Sequence, residues 1–331
     1  MLGVGGIGTG VFFALEGNHT LGREESRSGH FLDQRDYCKL HIICHYVKVL
    51  LGDEFEVIPI GKVGGDEPGK RLLDEMRVIG LNLRYLESCP GEQTLYSFCF
   101  QYPDGSGGNL TVDDSVCDRV DPVSVTQAEI EFDRFKGRGL VLAAPEVPLP
   151  TRRKLLQMGT AYRFFRVAAF TSAEMQPAIQ MGLLGMTDLL AINLDEAAAA
   201  VGNENDHGSP LFIVEAAIHK LMGINPDMIV SITAGKNGSW VWDGKILNHI
   251  PVFSVPVVNT AGAGDAFLAG VIVGLVADLT LHQAQELGTL VAAASIPSPH
   301  TINPEIERQS LFDFVSRMKF SLSESVNNLL K

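Results

Sequence analysis

The chain has 331 residues, 46% of them hydrophobic, so it is long enough to bury a large core. Its formal net charge of −13 argues against a nucleic-acid partner, because phosphate backbones select basic surfaces. Five cysteines without a CxxC pair predict neither a disulfide framework nor a zinc ribbon. The N-terminal segment lacks the basic stretch of a signal peptide, and the apolar run at 266–277 is too short to cross a bilayer. We therefore expect a cytoplasmic protein without membrane contact.

Short β-like runs alternate with helical patterns along the chain. The predicted strands cover residues 55–60, 139–144, 188–193 and 228–233, and a short apolar run follows at 255–258. The predicted helices lie at about 70–79, from about 150, from about 195 and at 264–277. Residues 238–242 and 246–250 form a predicted hairpin around Asp243-Gly244. This βα alternation predicts a mostly parallel central sheet flanked by helices, an α/β fold.

Residues 94–112 interrupt that alternation with two β-rich arms around the run PDGSGG. Asp-Gly turn chemistry predicts a β-hairpin here. A hairpin inserted into an α/β domain is a candidate lid over a binding site. An ordinary surface hairpin has the same composition, and the sequence leaves both interpretations open.

The strongest chemical signal is the segment Asn259–Phe267, with the sequence NTAGAGDAF, followed by an apolar helix. The small residues Gly262, Ala263 and Gly264 let backbone N–H groups point inward, and the helix adds its positive dipole end, so together they form an anion hole. Asp265 at the mouth of this hole can accept the proton of an attacking hydroxyl. The alternative is a Gly-rich helix start with Asp265 as its N-cap.

The run NTAGAGDAFLAG closely resembles the C-terminal signature D-T-x-G-A-G-D-x-F-x-x-G of the ribokinase/pfkB family of carbohydrate kinases. Residues 61–69, GKVGGDEPG, resemble a second family segment, and the resemblance spans about residues 55–300. It implies one ribokinase-like domain over residues 1–331 with a small β lid. It also implies transfer of the γ-phosphoryl group of ATP to a hydroxyl of a sugar-like or nucleoside small molecule, with Asp265 as the base.

Two further motifs match that family. Asn193 to Glu196 resembles its N-x-x-E motif, which implies that Glu196 helps to hold Mg²⁺ and that Asn193 lies near the ATP phosphates. On the residues alone, Asn193 ends a strand and Glu196 is a first-turn acid. The run from Thr233 to Gly238 resembles the T-x-G-x-x-G nucleotide loop, with Gly235 and Gly238 allowing close approach of ATP.

The N-terminal part departs from the family. Gly10 occupies the position at which members of the family carry their substrate-binding Asp, so we expect ribose and fructose to be poor acceptors. We assign substrate binding to Asp33, the best remaining carboxylate. Asn259 replaces the first Asp of the signature, which weakens attraction for a monovalent cation, so we expect little activation by K⁺. The resemblance also implies a homodimer paired through the lids.

Other interpretations compete with the kinase. The run Gly3-x-Gly5-x-x-Gly8 formally matches the dinucleotide fingerprint of an NAD-dependent Rossmann oxidoreductase, although only two residues precede it. A catalytically silent, ligand-binding member of the kinase fold would explain the altered N-terminal part. Cys38, His41 and His45 share a predicted helix face and would suit a zinc site or ordinary packing on the sheet.

Overall fold

A computed structural model describes residues 1–104, 107–202 and 209–331. Its strands are β1 Leu2–Val4, β2 Gly8–Leu15, β3 Gly29–Tyr37, β4 Ile58–Gly64, β5 Tyr85–Cys89, β6 Leu95–Gln101, β7 Gly107–Thr111, β8 Leu140–Ala143, β9 Phe165–Ala168, β10 Leu189–Asn193, β11 Ile229–Thr233, β12 Ser239–Trp242 and β13 Leu247–Ile250. Its α-helices are α1 Lys39–Leu51, α2 Glu67–Val78, α3 Pro122–Thr126, α4 Glu129–Arg134, α5 Leu149–Ala161, α6 Ser172–Gln180, α7 Leu194–Val201, α8 Pro210–Met222, α9 Ala263–Val276, α10 Leu281–Ser295, α11 Arg308–Met318 and α12 Glu324–Leu330.

The central sheet has nine strands in the order β13-β12-β11-β10-β9-β8-β1-β4-β5. Its neighbours pair in parallel from β5 to β11, and β12 and β13 close one edge as an antiparallel hairpin. Every residue of β1 and β8 is buried, as expected for strands that helices cover on both faces. Two apolar clusters of buried residues lie against the sheet. The predicted mostly parallel α/β architecture is confirmed.

The long apolar helix α9 is the centre of one of these clusters. Its residues from Ala266 to Gly274 are all buried. It packs closely on α10, where a Cβ added at Gly270 would lie 2.7 Å from Cα of Gly288. The close backbone contact fixes the position of α9, whose first residues belong to the signature segment.

Element boundaries differ from the sequence prediction by a few residues. α2 begins at Glu67 rather than at about 70, because the Asp66 side chain caps it by accepting a hydrogen bond from Gly69 N at 3.0 Å. The first of the predicted strands is shifted to Ile58–Gly64. The apolar run at 255–258 is not a strand, although Val258 N donates to Ile296 O at 3.2 Å.

The segment at 94–112 contains β6 and β7, which pair as antiparallel strands. It is part of a second, four-stranded sheet with the order β3-β2-β6-β7, which we call the lid sheet. Residues 105 and 106, in the predicted Asp-Gly turn, lie outside the described residues. The sequence did not predict that β2 and β3 complete this sheet.

The glycines near the N-terminus do not form a dinucleotide fingerprint. β1 is followed by strand β2 at Gly8, whereas a Rossmann fingerprint needs a helix after its glycine turn. The oxidoreductase alternative is therefore wrong. Within the described ranges, no helix is long and apolar enough to cross a membrane.

Candidate active site

The carboxyl ends of the parallel strands carry the first part of the site. Asn193 ends β10 and Thr233 ends β11, and the two residues are paired in the register of these strands. Glu146 follows the end of β8 by three residues. Ligands of parallel α/β sheets bind at this edge, where the loops after the strands diverge.

Asn193 and Glu196 form a reciprocal capping box at the start of α7. Glu196 N donates to Asn193 Oδ1 at 2.9 Å, and Asn193 N donates to Glu196 Oε2 at 2.8 Å. The capping box uses only Oε2 of the Glu196 carboxylate, and Oε1 takes no part in it. Burial raises the pKa of Glu196 to about 7, although the positive charge of Lys39 acts in the opposite direction. The two residues are therefore a helix cap that also faces a cavity.

The signature segment turns sharply into α9 at Gly262. This residue is the N-cap, and its φ of 78° lies in the left-handed region that favours glycine. A Cβ there would also lie 2.8 Å from Thr301 O. Asp265 is the third residue of α9, not its N-cap, so the structural alternative for this residue is wrong. Ala263 and Gly264 are the first two residues of the helix, at its positive end. Ala263 N already donates to Thr260 O at 3.3 Å, so the Ala263 N–H, predicted as part of the anion hole, is not free for a ligand.

Asn259 holds the entrance of the same turn. It is 6% exposed; its Oδ1 accepts from Ala261 N at 3.0 Å, and its Nδ2 donates to Pro299 O at 2.9 Å. The amide thus satisfies one donor and one acceptor at once, which a carboxylate cannot do.

Gly235 and Gly238 lie in a short turn after β11, and both have positive φ, 51° and 84°. Thr233, before this turn, lines a cavity, and its Oγ1 would lie 3.6 Å from a Cβ at Gly264. The two glycines are not among the residues that line that cavity or its neighbour.

Two cavities meet at Asp265. The first, which we call the phosphate cavity, has a volume of about 250 Å³, and the second, the acceptor cavity, has about 430 Å³. The phosphate cavity is lined by Lys39, Ala191, Ile192, Asn193, Glu196, Ser231, Thr233, Gly262, Gly264, Asp265, Phe267 and Leu268. The acceptor cavity lies under the lid sheet and includes Phe12, Asp36, Cys99, Phe100, Asn109, Glu146 and Thr171. Lys39, Gly262 and Asp265 line both cavities.

Lys39, the first residue of α1, forms an ion pair with Asp265. Burial alone would lower the pKa of Lys39, but the charges of Asp265 and Glu196 outweigh burial and raise it. The pair is mostly buried, with 25% of the Lys39 side chain and 14% of the Asp265 side chain exposed. Sequence reasoning missed Lys39, because it belongs to none of the motifs and lies 226 residues from its partner.

Comparison with known proteins identifies the family of this chain. Residues 44–308 match the family described as pfkB family carbohydrate kinase. The chain belongs to this family. Among its relatives, a fructoselysine 6-kinase of Shigella flexneri is 45% identical over 67 residues, a match that covers 20% of this chain and only 26% of that protein. An uncharacterized sugar kinase of Archaeoglobus fulgidus is 27% identical over 248 residues, 73% of this chain and 91% of that protein.

Solved structures show the same fold. A ribokinase from Giardia lamblia has a TM-score of 0.80 at 18% identity, covering 95% of this chain and 99% of that one. An Arabidopsis thaliana ribokinase complexed with ribose and ATP has a TM-score of 0.70 at 18% identity, covering 97% and 99%. The ribokinase-like fold is therefore confirmed for this pfkB-family chain.

The pfkB-family chain places Asp36, not Asp33, in the acceptor cavity. The pairing of β2 with β3 shifts between Val11 and Phe12, so Asp33 falls in a β-bulge, is exposed and lines a different groove. Asp36 pairs directly with Gly10. Its Oδ2 accepts from Cys99 Sγ at 3.5 Å, and burial raises its pKa to about 6. Asp33, the residue assigned to substrate binding from the sequence, therefore does not line the acceptor cavity, whereas Asp36 does.

Gly10 itself has no room for the family's Asp. A Cβ at this position would lie 2.6 Å from Ser97 O and 3.1 Å from Cβ of Asp36. The carboxylate that lies beside this position is that of Asp36, on the neighbouring strand. Only the register of β2 and β3 reveals it.

Glu146 is a second acidic residue of the acceptor cavity that sequence reasoning missed. Its φ of 72° is strained for a residue with a side chain. The residue as a whole is half-buried, but its Oε2 is shielded and has no hydrogen-bond partner. Burial raises the pKa of Glu146 to about 7. A carboxylate held in this way is ready to accept hydrogen bonds from a ligand.

The suggested zinc group does not form a site. No cluster of three or more His, Cys, Asp or Glu side chains in the described part of the chain could hold a metal ion. His41 and His45 are buried in α1, and burial lowers their pKa values to about 3 and about 4. They are therefore neutral packing residues.

Proposed function

We propose that this pfkB-family protein is an ATP-dependent kinase that transfers the γ-phosphoryl group to a hydroxyl of a sugar-like acceptor. The observation that carries the proposal is that Asp265 lines both cavities at once. A base at this boundary can contact a hydroxyl in one cavity while the phosphoryl group approaches from the other. The sugar kinases among the relatives support this class of reaction.

The chemistry follows from that placement. The acceptor oxygen forms a bond to the γ-phosphorus, and the bond from phosphorus to the bridging oxygen breaks and leaves its electron pair on ADP. Asp265 accepts the hydroxyl proton. The N–H groups of Gly262 and Gly264, which line the phosphate cavity, stabilise the charge on the transferring group, because they are fixed at the start of α9 before the reaction begins.

ATP would bind along the edge formed by the ends of β10 and β11. Asn193 and Thr233 line the phosphate cavity, and the turn with Gly235 and Gly238, which follows Thr233 in the chain, is the part that we assign to the ribose. A neighbouring ribokinase structure from Cryptococcus neoformans was solved in complex with ADP, which supports a nucleotide in this fold.

Glu196 fits a magnesium ion, because its carboxylate keeps one oxygen outside the capping box and lines the phosphate cavity. A single protein carboxylate is sufficient, since Mg²⁺ keeps several waters and takes further oxygens from substrate phosphates. When bound, Mg²⁺ neutralises charge on the phosphates. Asn259 offers no carboxylate to a monovalent cation, and the proposal includes no K⁺ requirement.

Asp36 and Glu146 are the proposed acceptor contacts. Carboxylates accept hydrogen bonds from the hydroxyls of a polyol, and Phe12 and Phe100 supply apolar walls beside them. The lid sheet covers this cavity from one side, so the acceptor would be shielded from water during transfer.

The proposal includes a cytoplasmic homodimer paired through the lid sheet. Three aromatic rings, Phe13, Phe31 and Phe98, contact one another with centroids 5.2–6.2 Å apart. Phe31 is 65% exposed, and Leu110 on β7 is 63% exposed. An apolar patch of this kind suits contact with a second copy. Sedimentation of the protein and of Phe31→Glu tests it: a monomeric wild type contradicts the pairing.

The test is a screen of ATP consumption and thermal shift over sugars, sugar phosphates and nucleosides, with Asp265→Asn as the inactive control. Turnover of at least one acceptor by the wild type alone supports the kinase. If the protein is instead a catalytically silent, ligand-binding member of the fold, ATP or an acceptor raises its melting temperature, yet no acceptor is phosphorylated.

A further inference from the structure

The two cavities are strongly acidic apart from one residue. Four carboxylates line them: Asp36, Glu146, Glu196 and Asp265. Lys39 is the only Lys, Arg or His that lines either cavity in the described part of the chain. Phosphoryl transfer would bring further negative charge into this space, so a cation here has a large electrostatic effect.

The position of Lys39 has no local structural reason to be a lysine. It is the first residue of α1, and the positive end of a helix dipole disfavours a cation there. The first turn of α1 contains no acidic residue that would compensate. What holds the ammonium is Asp265, far away in the sequence.

We propose that Lys39 is a catalytic residue that binds the transferring phosphoryl group at the boundary of the two cavities, an inference that rests on the function proposed above. In the ligand-free protein its ammonium pairs with Asp265. When the γ-phosphoryl group arrives, the flexible lysine stem lets the ammonium move to the phosphoryl oxygens. Asp265 is then free to accept the proton of the acceptor hydroxyl. The bonds that form and break are those of the phosphoryl transfer described above, and Lys39 neither gains nor loses a proton in that step.

A merely positioning role makes a different prediction. If Lys39 acts only by favouring the charged form of Asp265, alkaline solution favours that form as well, and the activity of a variant without the ammonium returns at high pH. If Lys39 binds the phosphoryl group, the loss persists at every pH, because the missing charge stabilises the transition state itself.

The experiment compares Lys39→Met, which keeps the length but removes the charge, with Lys39→Arg, which keeps the charge. Lys62→Met is the matched control, because Lys62 is also largely buried and ion-paired, to Glu87 at 2.7 Å, but lines neither cavity. We expect Lys39→Met to lower kcat by about 10²–10³-fold from pH 6 to 9, with a KM for ATP within about threefold of the wild type. Lys39→Arg should recover part of the loss, and Lys62→Met should retain kcat. Recovery of Lys39→Met at pH 9 overturns the proposal.

A binding measurement keeps this inference separate from the kinase proposal. Calorimetry with Mg-ADP and with Mg-ADP plus aluminium fluoride, a mimic of the transferring phosphoryl group, needs no turnover. We expect Lys39→Met to weaken binding of the fluoride complex by at least about tenfold and binding of Mg-ADP by less than about threefold. Equal effects on both ligands overturn the role of Lys39. Absence of turnover with every acceptor, beside a selective loss of fluoride-complex binding, overturns the kinase proposal and leaves the Lys39 site supported.

Discussion

Replacing Asp265 by Asn separates catalysis from folding at the centre of the site. Asn has nearly the same volume but cannot take a proton, so kcat should fall by about 10²–10⁴-fold, the usual effect of losing a general base. At 1.36 kcal/mol for each factor of ten, that is about 2.7–5.4 kcal/mol in transition-state free energy. A loose transition state, in which the hydroxyl proton leaves late, would give the lower end of this range.

The effect on stability should be much smaller. The substitution removes the ion pair with Lys39 and the attraction of a third-position acid to the helix dipole, the latter worth about 0.3–1 kcal/mol. It also relieves the repulsion that Asp265 exerts on Asp36, Glu146 and Glu196. These effects oppose each other, and Glu196 and Glu146 remain as counter-charges for the buried Lys39, so we expect the free energy of unfolding to fall by no more than about 2 kcal/mol.

The assay is steady-state phosphoryl transfer together with a melting curve, once the screen has found an acceptor. The matched control is Asp195→Asn, which removes an exposed first-turn acid from α7 without touching either cavity. It should retain kcat within about threefold. If Asp265→Asn keeps most of its kcat, the base assignment is refuted. If it melts far lower and has unchanged activity per folded molecule, the role of Asp265 is structural.

The remaining predictions concern the acceptor cavity and the cation. Asp36→Asn should raise the KM for the acceptor by about tenfold or more, while Asp33→Asn on the same strand should leave this KM unchanged. The reverse result in acceptor titrations refutes the assignment of Asp36 as an acceptor contact. Burial raises the pKa of Glu146 from 4.5 in the unfolded chain to about 7, so the folded state binds this proton more tightly than the unfolded chain does. The free energy of unfolding therefore falls as the pH rises from about 4.5 to about 7. The charges of Asp36, Asp265 and Lys39 also contribute to the pKa of Glu146. Glu146→Gln should therefore raise the melting temperature more at pH 8 than at pH 5, and an equal effect at both pH values contradicts this origin. Asn259 should make the natural protein insensitive to K⁺, and Asn259→Asp should add activation measurable in initial rates with KCl against tetramethylammonium chloride; strong K⁺ dependence of the natural protein contradicts this.

Much of the site was predictable because its motifs are continuous in the chain. The run from Asn259 to Asp265 contains its own turn, helix start and carboxylate, so local chemistry is enough to propose an anion hole beside a base. Asn193 and Thr233 each end a buried parallel strand, and this pattern alone places them at the same edge of the sheet.

The acceptor half of the site was not predictable in the same way. Asp33 and Asp36 are three residues apart on one strand, and sequence spacing gives no means of choosing between them. The bulge in β3 makes the choice, because it leaves Asp33 without a partner on β2, whereas Asp36 is paired with Gly10. The sequence gives no signal for Glu146 either. Only its strained backbone and its position beside the lid sheet distinguish it from a surface glutamate.

The sequence by itself therefore determined the α/β fold and the family, and it predicted the residues proposed for the phosphate half of the site, because these depend on local periodicity and on short motifs that carry their own geometry. Only the tertiary structure decided that Lys39 pairs with Asp265 and that Asp36 lies opposite Gly10 in the acceptor cavity. The physical reason is that both depend on contacts between distant segments, where helix packing and strand register, not residue spacing, determine which charged groups meet.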